Sequence, residues 1–132
     1  MVVWFLDFVG TVDQVPDWPA KLQSLVDLGD NVVINTGDPS WFREELAACK
    51  PELLKPVHCW AKVTPRMGLL DIKSMWPDAT RVIMSDDMWV GDFLEDVQTS
   101  VDNFRQLHPT WTCEIVRPNA LDYAIYKRMK AV

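Results

Sequence analysis

Several residue types are scarce in this chain, and each scarcity removes a class of function. Cysteine occurs three times in 132 residues, at Cys49, Cys59 and Cys113, with no Cys-x-x-Cys pair. That excludes a disulfide framework and leaves no spacing suited to structural zinc, so the three read as free core thiols in a reducing compartment. Histidine occurs twice, and neither His58 nor His108 is placed like a ligand or a base. Both read as structural or exposed. No apolar run approaches the roughly 20 residues that a membrane-spanning helix needs. The start MVVWFLDFVG has no basic region and is broken by Asp7, unlike a signal peptide, so a cytoplasmic protein with no membrane partner is expected. Positive charge is short as well. The net charge is −6, and such a surface repels nucleic acid unless metal ions or a local basic patch intervene.

What is present is enough for one core. Hydrophobic residues make up 48% of the chain, and there is no internal repeat, low-complexity segment or linker. A single domain over residues 1–132 is expected, with no need of covalent staples. Short apolar runs at 2–6, 31–35, 57–61, 81–85 and 112–116 read as strands, the first buried on both faces. Between them lie helical patterns. Residues 17–28 put Trp18, Leu22, Leu25 and Val26 on one face, and Gly29-Asp30 stops that helix. A helix through SWFREELAACK has Ser40 as its expected cap. The 65–76 helix is expected to turn Met67, Leu70 and either Met75 or Trp76 inward. Another runs from about Asp92 to Leu107, and the last, 119–130, sets Leu121, Ala124, Ile125 and Met129 along one stripe. Regular alternation predicts an α/β fold: a Rossmann-like three-layer sandwich, with a five-stranded, mainly parallel sheet and helices on both faces.

In such sheets ligands bind beyond the carboxyl ends of the strands. There the sequence places Asp7 after the first strand, Thr36 at the end of the second and Lys62 just after the third. Asp86-Asp87 follow the fourth, with Asp92 one loop later. Each residue alone has an ordinary explanation, as a turn former, a surface lysine or a loop start. Their shared edge is what points to chemistry. A carboxylate can attack phosphorus, a hydroxyl and an ammonium can hold phosphoryl oxygens, and a carboxylate cluster can hold Mg²⁺.

The order Asp7-Phe8-Val9-Gly10-Thr11, strand-end Thr36, Lys62 placed 24 positions before Asp86, then Ser85-Asp86-Asp87 resembles the haloacid dehalogenase (HAD) superfamily, over the whole chain and in the right order. A response-regulator receiver, the other aspartyl-phosphate fold, fits less well, because its acidic pair follows strand one and its phosphorylated Asp ends strand three. Trp60-Ala61-Lys62 adds a faint likeness to HAD domains of nucleic-acid repair. The resemblance implies Asp7 as nucleophile and Thr36, Gly37 and Lys62 around the phosphate. It also implies Mg²⁺ held by Asp7, the Val9 carbonyl, Asp86, Asp87 and Asp92, with either Asp86 or Asp87 as the main acidic ligand.

The departure is at Val9. The family usually has there a second Asp, which protonates the leaving group and later activates water, help typically worth roughly 10²–10⁴-fold in rate. Its metal contact is through the backbone carbonyl, which valine keeps. Family branches that replace this residue, the P-type pumps with Thr and the dehalogenases with an aromatic, keep a working nucleophile. Asp13 is the nearest substitute acid, and it is expected to be exposed. Spacing leaves room for no cap domain, since helix 17–28 fills residues 12–30, and one helix and one strand fill 37–61. The expected substrate is therefore a bulky or macromolecular phosphate, such as a nucleic-acid end or a phosphoprotein. Of the tryptophans, Trp4 and Trp18 read as core, while Trp41, Trp60 and Trp89 sit near the site, where core filling outweighs ligand stacking. Two other functions compete with a phosphohydrolase. One is a catalytically impaired HAD-fold binding or regulatory module. The weaker one is a dehalogenase-like or phosphonate-cleaving enzyme, which would need a cap or a lysine base.

Overall fold

The computed structural model describes residues 1–90 and 93–131. Five strands, β1 (Val2–Leu6), β2 (Asn31–Thr36), β3 (Val57–Ala61), β4 (Arg81–Ser85) and β5 (Thr112–Ile115), form one sheet in the order β3-β2-β1-β4-β5. Every pairing is parallel. Helices α1 (Trp18–Asp27), α2 (Pro39–Cys49), α3 (Pro65–Met75), α4 (Leu94–Leu107) and α5 (Pro118–Lys130) fill the connections. The fold is the expected three-layer α/β sandwich, and its sheet is wholly parallel.

β1 is central and all five of its residues are buried, as a strand covered on both faces must be. Its even side chains, Val2, Trp4 and Leu6, enter one core with Leu22, Leu25, Phe42, Leu46, Leu121 and Ile125, so α1, α2 and α5 cover that face. Val3 and Phe5 enter a second core with Leu69, Ile72, Val97, Val101 and Phe104, beneath α3 and α4. The chain leaving β1 therefore goes to one face and the chain leaving β4 to the other. That divergence opens a crevice at the carboxyl ends of two adjacent strands.

Proline sets where several helices begin. α1, α2, α3 and α5 each carry one in the first two positions, where the missing N–H is no loss and the fixed φ is already helical. Two of these starts have side-chain caps. Asp38 accepts the Trp41 N–H, and Thr64 accepts the Met67 N–H. The expected cap of α2, Ser40, lies instead inside its first turn, because Pro39 already occupies the first helical position.

The inward face of α3 also differs from expectation. Met67, Leu70 and Met75 are exposed, Trp76 is only partly buried, and Gly68, Leu69 and Ile72 face the core. The reason is Gly68. A Cβ there would lie 2.3 Å from Cζ of Phe5, so the helix backbone rests directly on that ring. On α5, Leu121 and Ile125 are buried as expected, but Met129, in the last turn, is exposed. Of the three thiols only Cys113 is buried; Cys59 is half-buried and Cys49 exposed, so the last does not belong to a core. His58 packs edge-on against Trp76 and His108 lies against Phe104, both structural placements.

At the opposite edge of the sheet a buried carboxylate ties three elements together. Asp30, just before β2, accepts the Val2 N–H and the Trp4 indole N–H. Arg128 of α5 donates to both its oxygens, at 2.8 and 2.7 Å. Burial alone would raise the carboxyl pKa, but Arg128 and then Trp4 outweigh it and hold it below the usual value. Asp30→Ala leaves a guanidinium and two N–H groups without their acceptor, and is expected to cost roughly 3–5 kcal/mol in urea unfolding. A loss under about 1 kcal/mol would mean the clamp is incidental.

Candidate active site at the carboxyl edge of the sheet

The site is built where the ladders end. Leu6 pairs with Ile34 on one side and Ser85 on the other, and Thr36 pairs with Ala61. Asp7, Asp86 and Lys62 therefore emerge side by side as the first residues past β1, β4 and β3. Asp7 and Asp86 are both buried. The Lys62 ammonium lies 3.2 Å from Oδ1 of Asp7 and pairs more closely still with Oδ2 of Asp86. Ligand oxygens of Asp7, Asp86 and Asp87 all lie within 4.8 Å of one another.

Local contacts hold each group in place. Asp7 continues the ladder by donating its N–H to the Ser85 carbonyl at 2.9 Å. Phe8, one residue on, packs edge-to-face against Trp18, Trp41 and Phe42, which pins the turn into the first core. Gly10 then takes φ +80°, and its N–H is accepted by Asp13 at 2.8 Å. Thr11 joins the two acidic loops, since its hydroxyl accepts the Asp87 N–H at 3.1 Å and reaches Oδ2 of Asp7 at a long 3.5 Å. On β4's side, Asp86 turns its free oxygen, Oδ1, to the Met88 N–H at 2.9 Å.

Lys62 is placed by a residue that sequence reasoning missed. The buried Asn35 side chain donates to the Val63 carbonyl and accepts the Val63 N–H, at 3.1 and 2.9 Å. It extends the β2–β3 pairing past the strand and fixes the chain right after the lysine. A polar residue inside the apolar run VVIN was the available signal. Thr11 was missed too, being quoted only as part of a motif. Beneath the lysine lies the buried Trp89 ring, 5.8 Å from Nζ.

Among the expected residues, then, Asp7, Lys62, Asp86 and Asp87 come together. Thr36 and Gly37 stand at the end of the neighbouring strand, where Oγ1 of Thr36 accepts the Asp38 N–H at 3.2 Å. No hydrogen bond among the described residues joins Thr36 to the acidic cluster. Val9 is 52% exposed, and its isopropyl group can neither donate nor accept a proton. Asp92 lies outside the described residues. Asp13 is partly buried rather than exposed, because it braces the Gly10 turn. Trp89 is buried against Phe5 and Trp60 is half-buried on the same ring, so core filling accounts for these two, whereas Trp41 packs one edge on Phe8 and is otherwise exposed.

Electrostatically the cluster has more negative than positive charge. Burial, and then the Asp86 carboxylate, push Asp7 up to about 7 despite Lys62. Asp86 is likewise raised, by burial and by Asp87. Burial also opposes the ammonium of Lys62, but its bonds to Asp86 and Asp7 win and raise its pKa. Two buried carboxylates and a third beside them share a single ammonium, so a proton or a cation must supply the remaining charge. An all-oxygen donor set of this kind suits a hard divalent cation.

By fold and site, the chain is an open parallel α/β protein with an acidic, lysine-bridged cluster at its topological switch point. It matches no family model, no curated protein and no solved structure. What the site does must be inferred from its own geometry.

Two outcomes are expected. A Cβ on Gly10 would lie 2.4 Å from Oδ2 of Asp87, at a φ that L side chains rarely adopt. Gly10→Ala is thus expected to displace Asp87 and cost roughly 1–3 kcal/mol, read by thermal unfolding. The pH dependence has a definite sign. A carboxyl raised from 3.8 to about 7 holds a proton in the folded state that the unfolded chain has released. With chelator present, this site's contribution to stability should fall as pH rises through that window. Added Mg²⁺ should restore stability at pH 8 far more than at pH 5. Equal effects at both pH values would count against a cation among these carboxylates.

Proposed function

We propose that the chain is a capless, Mg²⁺-dependent HAD-type phosphohydrolase or phosphotransferase, acting through an aspartyl-phosphate on Asp7, with a bulky or macromolecular phosphate as substrate and weakened acid–base catalysis. The observation that carries this reading is the Lys62 ammonium set between Asp7 and Asp86 at the sheet's carboxyl edge, with Asp87 beside them. A nucleophilic carboxylate needs a cation at its flank, both to orient it and to offset the charge of an incoming phosphate.

Each residue then has a role. Asp7 attacks phosphorus through one oxygen, and Lys62 steadies the phosphoryl group. The Thr36 hydroxyl accepts a bond from the Asp38 N–H and so keeps its own proton to donate to a phosphoryl oxygen, with the Gly37 backbone beside it. Asp7, Asp86 and Asp87 would hold Mg²⁺, with the Val9 carbonyl and Asp92 as further ligands. When bound, the ion supplies charge neutralisation and orientation of the phosphate. The connections after β1 and β2 contain only short 3-10 turns besides α1 and α2, which favours an open site.

Val9 predicts the kinetics. An activated leaving group needs little protonation, but hydrolysis of the aspartyl-phosphate still lacks the base that would activate water. With p-nitrophenyl phosphate and Mg²⁺, the expected course is a burst of nitrophenol followed by slow turnover. Asp7→Asn should abolish both phases, while Val9→Asp should speed the slow phase by roughly 10²-fold, the low end of general-base effects. The competing reading, a binding module on the same fold, is favoured by the exposed apolar side chain of Val9. Silence from the wild type, with Val9→Asp equally silent, would decide for it.

A further inference from the structure

The missing acid and a neighbouring cleft together restrict what the substrate can be. Leaving as an alkoxide requires a proton in the transition state. Among the described residues, the acids near Asp7 other than Asp87 are already engaged, and Asp87 would be taken by the cation. Asp86 holds Lys62 and the Met88 N–H, Asp13 holds the Gly10 N–H, and Asp38 caps α2. A phenol, with a pKa of about 10, departs as a stable anion and needs far less help.

Beside the site, a cleft of about 440 Å³ opens between the segment after Lys62 and the start of α4. This is large enough for a small ligand. Lys62 forms one end, and Pro65, Met88, Trp89, Phe93 and Ser100 line the rest. The lining is largely apolar and includes two aromatic rings. Phe93 is half exposed and lines the cleft, where an aromatic ligand could pack on it. Asp96 at the mouth disfavours a second anionic group on the ligand.

From this juxtaposition we infer that the substrate is an aryl phosphate monoester, its ring seated in the cleft and its phosphate at Asp7. The inference rests on the phosphoryl-transfer reading above and narrows its substrate class. In the step it implies, an oxygen of Asp7 bonds to phosphorus while the phosphorus–aryloxy bond breaks. The bonding pair stays on the phenolate, which takes its proton from solvent. Water then adds to phosphorus, frees phosphate and returns the Asp7 carboxylate, its proton passing to solvent.

The test separates the ring from the reaction. Phenylphosphonate and methylphosphonate resist hydrolysis, so their affinities for the Mg²⁺-loaded protein can be compared by calorimetry. Wild type should bind phenylphosphonate about tenfold more tightly, as expected for one aromatic contact with its buried area. Phe93→Ala, which removes an exposed wall, and Ser100→Phe, which fills the cleft, should each bring that ratio near one and leave methylphosphonate binding unchanged. Equal affinities in wild type, or a preference that both variants retain, would overturn the ring site. Acetyl phosphate, which has a good leaving group and no ring, reports separately on the chemistry. Its turnover should vanish in Asp7→Asn. Turnover indifferent to Asp7 would sink the phosphoryl-transfer reading, whatever the phosphonates show.

Discussion

The pairing of one ammonium with two buried carboxylates governs this end of the molecule. Asp7 and Asp86 end adjacent parallel strands, so the ladder register places them together whatever their charges prefer. Lys62 is the only cation given to them by the described residues, and it arrives from the far side of β2. Holding it there takes several contacts: the Asn35 clamp on Val63, the β2–β3 register and the Trp89 ring beneath. Losing that cation would leave buried carboxylates unpaired, which is among the costliest changes a core can suffer. The architecture is therefore built to keep a strained charge balance, and such balances are more often functional than stabilising.

Aromatic rings give the cluster its rigid support. Phe5 lies on one face of β1 beneath Trp60 and Trp89, and Phe8 is buried on the other among Trp18, Trp41 and Phe42. Asp7 thus stands between two ring clusters in opposite cores. Small residues make the close approaches possible. Gly68 lets α3 rest on Phe5, and Gly10 lets the turn after β1 pass against Asp87. Wide rings fill both layers, and at Gly10 and Gly68 the backbone comes so close to a side chain that no Cβ would fit.

Most of the fold was legible in the sequence, because strands buried on both faces are short continuous apolar runs and the helices between them repeat at 3.6. The inward face of α3 was not. Hydropathy periodicity weighs side chains that seek burial, and the residue that sets this helix's orientation is a glycine, which has none. The cap of α2 was misplaced for a related reason, since Ser40 and Asp38 both suit the role and Pro39 between them decides. At the site, Asp7, Lys62, Asp86 and Asp87 were readable from the rule that strands deliver ligands at their carboxyl ends. Asn35 and Thr11 were not, because they act by hydrogen-bonding backbone in another loop, and no spacing along the chain announces such a contact.

The valine after Phe8 separates two contributions that usually travel together. On the proposed reading, positioning and charge stabilisation fall to Asp7, Lys62, Thr36 and the acidic loop, and Lys62 is held to Asp7 and Asp86 by part-buried bonds. Proton transfer needs one titratable side chain facing the leaving group, and where the proposed reading would have it the chain offers an exposed valine. In group transfer, preorganised electrostatics usually lowers the barrier more than acid–base help does. A site that keeps the first and gives up the second can still transfer the phosphoryl group to Asp7 from a substrate whose leaving group is already stable as an anion, while release of phosphate from Asp7 stays slow. On the proposed reading, two buried carboxylates kept at the cost of their desolvation, beside a position that offers no acid, fit best a substrate that makes that acid unnecessary.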